Sequence, residues 1–164
     1  MRMSWERSRQ NLSVHDSHTL SIVLHCIGDF ERISDHAINI MEAAQEMHNK
    51  KLTFSPKAEE ELKVFCRAVQ DIVEKAYAVF RDQDEKLAQK VEPLEAVVDD
   101  LNQEVKKRHI RRLRNGKCTI ELGFILSDIT TSLERVADHC SNIAVCVTQV
   151  RDDTYDTHGY LNSV

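Results

Sequence analysis

The feature that most constrains this chain is a row of apolar residues spaced alternately three and four apart: Leu126, Ile129, Leu133, Val136, Cys140, Ile143, Val147 and Val150. That spacing is the seam of a long helix packed against other helices, and a strand has no use for it. Subtracting 103 from each number gives Val23, Cys26, Phe30, Ile33, Ala37, Ile40, Ala44 and Met47, again all apolar. The residues between the seam positions repeat as well. Glu31, Arg32, Asp35, His36, Asn39 and Ile40 recur as Glu134, Arg135, Asp138, His139, Asn142 and Ile143, so six of the ten residues 31–40 are identical in the second copy. A constant offset without gaps reads as an internal duplication. Two units of 103 residues do not fit in 164, so the first unit is expected here only in part.

The rest of the chain follows helical spacing too. A first helix is predicted from about Ser17 to Asn49, after an opening (residues 1–16) that shows no sustained period and either frays or extends it. After the linker KKLTFSP, Ser55 suits an N-cap, with Pro56 at the first helical position and acids from Glu59 to Glu61 just inside. The second helix runs to about Arg81 on a stripe of Leu62, Phe65, Val69, Ile72, Ala76 and Val79. The short turn RDQD makes the next helix its antiparallel neighbour. That third helix carries Leu87, Val91, Leu94, Val98, Leu101 and Val105, and Pro93 should kink or restart it. Gly116 in RNGK is placed to end it, and a fourth helix fills the chain to about Val150. The prediction is an all-α protein: an antiparallel three-helix bundle with one long additional helix beside it.

Composition narrows the function classes. Only 5% aromatics, 4 Gly and 2 Pro among 164 residues fit helices better than a sheet protein. A net charge of −5 argues against general nucleic-acid binding. Five cysteines, odd in number and with no CxxC pair, read as reduced, mostly buried cytosolic thiols. No apolar run approaches the roughly 20 residues of a membrane span, and no signal peptide is visible, so the reading is a soluble piece of chain.

The repeated carboxylates raise the functional question. With Phe30 and Leu133 at position a of a heptad, Glu31 and Glu134 fall at b, and Asp35 and Asp138 at f, away from the seam. With Val98 at a, the third helix adds Glu92 and Asp99 at b and Glu95 at e, all on one flank. Like charges one turn apart weaken a helix by a few tenths of a kcal/mol, roughly, so a single such pair reads as an ordinary solvated face. Repetition at one register points instead to carboxylate rows that share cations of the Mg, Mn, Fe or Zn type.

At these residues a family resemblance appears. ERISDHAINI and ERVADHCSNIA are similar to the signature of the PhoU family of phosphate-uptake regulators. VLHCIGDFERISDHA and CTIELGFILSDITTSLERVADHCSNIAVC resemble, more narrowly, the PhoU-like cytoplasmic tails of bacterial sodium/phosphate cotransporters. LAQKVEPLEAVVDDL resembles the family's middle-helix motif, and the similarity runs from about Asp16 to Val150.

The resemblance implies tandem three-helix repeats that regulate phosphate traffic without catalysis. It also implies multinuclear iron or zinc clusters on E/DxxxD faces and docking to a membrane phosphate transporter at the inner face of the plasma membrane. Carried over by position, the metal ligands are Glu31, Asp35, Glu95, Asp99, Glu134 and Asp138. The implied organisation is a frayed opening (1–16), the last helix of a partial first repeat with its linker (17–54), a complete repeat (55–152) and a tail (153–164). The opening MRMSWERSRQ is then expected to be either a cut in a longer chain or a wrongly assigned start. Helix one lacks partners for its seam, which weakens the case for metal at Glu31 and Asp35 and favours a homo-oligomer.

Other residues are open to two readings. Arg32 and Arg135 are expected to pair with nearby carboxylates in preference to phosphate or a partner. His36 and His139, at g, either complete a metal shell or pack against another helix, and Asn39 and Asn142 are placed to orient the aspartates. The stretch KKRHIRRLRNGK suits a helix C-terminus in part, with the remaining cations free for an anionic membrane surface. Two alternatives stand beside this reading. A metal-free helical interaction module explains the heptads but not the repeated polar positions. A carboxylate-bridged metalloenzyme needs Glu-x-x-His facing the core, and no ExxH occurs.

Overall fold

The computed structural model describes residues 14–151, and these form helices joined by short turns. They are α1 (Val14–Asn49), α2 (Pro56–Asp82), the single turn α3 (Glu85–Ala88), α4 (Val91–Arg114) and α5 (Ile120–Arg151). No strand occurs among the described residues. The expected tail lies outside them, as does most of the expected frayed opening, and α1 begins a turn earlier than predicted.

Local chemistry sets each boundary. Ser55 has extended backbone, and its hydroxyl accepts from the Ala58 amide at 3.4 Å, with Pro56 opening α2. Asp84 caps α3 by accepting from Lys86 and Leu87. The predicted restart falls at Gln89 and Lys90, which places Pro93 in the first turn of α4, where no intrahelical partner is lost. Gly116, at φ +65, closes α4: its N–H donates to Leu113 and that of Lys117 to Arg112, a Schellman arrangement. Lys51, at φ 53, takes the same role after α1 without glycine's freedom.

α5 is the hub. It packs against α1, α2, α3 and α4, whereas α2 and α4 also pack on each other. Its burial follows from that. The predicted seam from Leu126 to Val147 is buried, and so are Ile125, Thr130, Ser132, Ala137 and Ala144 on either side of it. The Val150 side chain lies outside the described residues. α1 corrects one expectation: Ala37 and Ala44, predicted on its seam, are exposed, while Ile22 and Ala43 are buried. The equality of the two copies fails there because the backbone of α1 approaches α5 alone. A helix with one neighbour buries a narrow stripe at d and g. One with several neighbours buries a, d, e and g. Phe30 reaches past α5 to Phe80 of α2, ring edge to face, with centroids 5.3 Å apart.

Candidate metal centre

Glu95 and Asp99 stand one turn apart on α4, and Asp138 faces them from α5. An oxygen from each lies within 4.8 Å of the others, and all three are half-buried. The bundle core aligns them. Val98 and Val105 of α4 and Cys140 and Val136 of α5 are buried, so the two helices are held at fixed rotation and their flanking acids converge. Three carboxylates this close cannot all carry charge cheaply. Burial, and then the charges of Asp99, Asp138, Glu92 and Glu134, push the Glu95 carboxyl above its usual range. Asp99 Oδ1 is enclosed and has no hydrogen-bond partner. Asn102, on the same face of α4, is buried with its Oδ1 also unbonded. A native fold seldom leaves such acceptors unmet unless something else meets them.

These observations bear on whether a cation fits. The donor set is all oxygen and strongly acidic, with an acceptor waiting for a partner, which suits a hard or borderline divalent or trivalent ion. Glu134 lies close enough to act on Glu95 through its charge, though it is not among the three converging residues. Arg135 Nη1 lies 3.2 Å from Asp138 Oδ2 and offsets part of the repulsion.

Glu31 and Asp35 are placed differently. Both are exposed on α1 and join no such group among the described residues. Asp35 faces Arg32 at 3.9 Å. The histidines of the repeated phrase do not join the carboxylates either. His139 Nδ1 lies 2.9 Å from Asp29 Oδ1 on α1, and the His36 ring stacks on His139 with centroids 5.7 Å apart. Asn142 donates to the same Asp29 oxygen at 3.5 Å. Sequence reasoning missed Asp29. The signal available was a break in the repeat, because the position matching Asp29 is Ser132.

The fold and the carboxylate row define an all-α bundle built from helices marked by paired acids. Residues 62–147, just over half of the chain, match the PhoU domain, and the chain belongs to that family. It is 29% identical over 121 residues to a "Phosphate-specific transport system accessory protein PhoU homolog 1" of Thermotoga maritima, covering 74% of this chain and 51% of that protein. It is 27% identical over 137 residues to a "Phosphate-specific transport system accessory protein PhoU homolog" of Synechocystis sp., covering 82% of this chain and 58% of the relative. The chain thus spans little more than half the length of these curated relatives. No solved structure matches it significantly.

Proposed function

We propose that this chain is a non-enzymatic regulatory module of phosphate transport that binds metal ions, iron or zinc, on a carboxylate-rich helix face. It docks to a membrane phosphate transporter from the cytoplasmic side. Membership of the PhoU family and the names of its relatives, accessory proteins of phosphate-specific transport systems, support the regulatory role. No helix among the described residues is long and apolar enough to cross a membrane, so a transporter would be a separate domain or partner. The wording of the two repeated phrases supports the narrower placement as the tail of a sodium/phosphate cotransporter.

The observation that carries the metal reading is the convergence of Glu95, Asp99 and Asp138, with Asp99 Oδ1 unpartnered. Glu134 would complete the shell. Glu31 and Asp35 would need ligands from outside the described residues. A bound ion would supply positive charge that cancels the repulsion of the acids, so loading would change the surface offered to a partner. Metal analysis of the chain after purification without chelator tests this. Iron or zinc should be retained by the wild type and lost in Asp99→Asn with Asp138→Asn, with helix content unchanged in both. A wild type that carries no metal after loading with either ion leaves the metal-free interaction module as the reading.

A further inference from the structure

We infer that the pocket between the start of α2 and the end of α4 binds a multiply charged phosphoryl oxyanion. The cavity measures about 670 Å³ and is lined by Ser55, Lys57, Arg108, Arg111, Arg112 and Lys117, together with Glu61 and Glu104. Five cations thus face two acids, and the acids are already engaged. Glu61 accepts from Arg112 at 2.8 Å and from Arg108 at 3.5 Å, and Glu104 accepts from Arg108 at 2.7 Å. Lys57, Arg111 and Lys117 form no ion pair among the described residues, though Arg111 acts on Glu104 at longer range, and the lining carries three more positive charges than negative ones.

The ends of the helices do not account for these cations. The last carbonyls of α4 at Arg111, Arg112 and Leu113 accept from the amides of Asn115, Lys117 and Gly116, so no side chain is required to cap them. The other wall is the start of α2, where the partial positive charge of a 27-residue helix adds to that of the side chains. Arg112 keeps two enclosed donors, Nε and Nη2, without an acceptor in the chain. Those two donors are sealed from solvent, so what the wall offers a ligand is the excess charge of its exposed cations, Lys57, Arg108, Arg111 and Lys117.

The ligand class follows from the pocket. Guanidinium forks and ammonium groups around one cavity match tetrahedral oxyanions of two or more charges better than a single carboxylate. Nucleic acid is a poor fit, because Glu61 and Glu104 face the pocket and the chain carries a net charge of −5. The cations of KKRHIRRLRNGK are therefore gathered in part into a concave site. A soluble pyrophosphate-like compound and the headgroup of an anionic lipid offer the same chemistry, and the experiment separates them.

The full chain is titrated calorimetrically with pyrophosphate, and in parallel is co-sedimented with phosphatidylcholine vesicles with and without phosphatidic acid. Saturable binding of at least one probe is expected. Arg111→Gln with Lys117→Gln should weaken it by about tenfold or more. Lys63→Gln with Lys75→Gln, which removes the same charge from α2 outside the pocket, should leave it within about twofold. Binding of pyrophosphate identifies a soluble ligand, and binding only of phosphatidic acid vesicles identifies a lipid headgroup. Failure of both probes to bind, or equal weakening by the two double variants, overturns the assignment.

Discussion

His139 Nδ1 and Asp29 Oδ1 meet at 2.9 Å across the α1–α5 interface, with the two side chains only 21% and 15% exposed. Asp29 also takes the Asn142 amide, so one carboxylate serves two groups of the neighbouring helix. Asp29→Ala should cost about 1–3 kcal/mol, because it leaves half-buried polar partners unmet. Urea unfolding measures the loss. Hydrogen exchange should show faster exchange in α1 and little change in α2.

Two imidazoles make the fold acid-sensitive. Burial, then the charges of His139 and Arg135, lower the His36 pKa below 6.5, with Arg32 adding to this and Asp35 opposing it. Burial, then Arg112, lowers His109 in the same direction. A base with a depressed folded pKa binds fewer protons in the native state, so its contribution is complete above the unfolded value of 6.5 and is lost as pH falls below it. The urea midpoint should fall between about pH 7.5 and about pH 5.5. His109→Gln should flatten that slope.

Two glycines predict opposite signs. A Cβ at Gly123 would stand 2.8 Å from His109 Nε2, whereas one at Gly28 would meet nothing within 4 Å. His109 is buried between α4 and α5, so its ring has little room to yield. Gly123→Ala should destabilise by about 1–3 kcal/mol. Gly28→Ala should stabilise by about 0.5–1 kcal/mol through helix propensity alone. Thermal melts of the two variants beside wild type decide the matter.

The carboxylate cluster predicts a reversal on metal removal. Without metal, Asp99→Asn relieves repulsion among Glu95, Asp99 and Asp138, and should leave the melting temperature equal or slightly higher. With iron or zinc in excess, only the wild type should gain stability, because an unfolded chain cannot assemble the ligands. Melting curves with metal and with chelator would show the crossing, and parallel curves under both conditions would count against a bound ion.

The outer face of α1 predicts self-association. Leu20, Leu24 and Ile27, and further along Ile38 and Met41, lie on one face of α1 and are 48–63% exposed, with Glu31 and Ser34 between the two groups. Five large apolar side chains on one face exceed what a monomer usually leaves in water. Sedimentation should find a dimer at micromolar concentration, and Ile27→Glu should shift it to monomer.

Much of this architecture could be read from spacing alone. The seams of α2 and α5, the cap at Ser55, the stop at Gly116 and the restart near Pro93 each depend on residues within a few positions of one another. Local rules govern these features, and they appeared where the rules put them. Heptad register shows that Glu95 and Asp99 share a flank of their helix, but it turns Asp138 at f away from the seam. Their convergence with Asp138 is implied by the family resemblance and depends on how α4 and α5 face each other. Legibility ended where a feature depends on the number of neighbours. Ala37 and Ala44 match buried residues of α5 in sequence, yet water reaches them because no further helix covers that side of α1. Asp29 escaped for a related reason: its role is to meet His139, 110 residues away, and no period marks such a partner. The basic pocket likewise joins Lys57 to Arg111 and Lys117 only once the two helices lie side by side.

Because the backbone of α1 packs on α5 and on no other helix, the order in which the chain gains structure is constrained. α2, α3 and α4 are close in sequence and can begin to pair as soon as they leave the ribosome. α1 precedes them all but must stay undocked until α5 exists. Closing so long a loop costs entropy that short-range contacts do not, so docking of α1 follows the pairing of α2 with α4. During that interval the helix presents both its stripes to the surroundings. A second chain passing through the same stage offers an equivalent α5, and exchange of α1 between two such chains is the characteristic error, or the characteristic assembly route, of a fold wired this way.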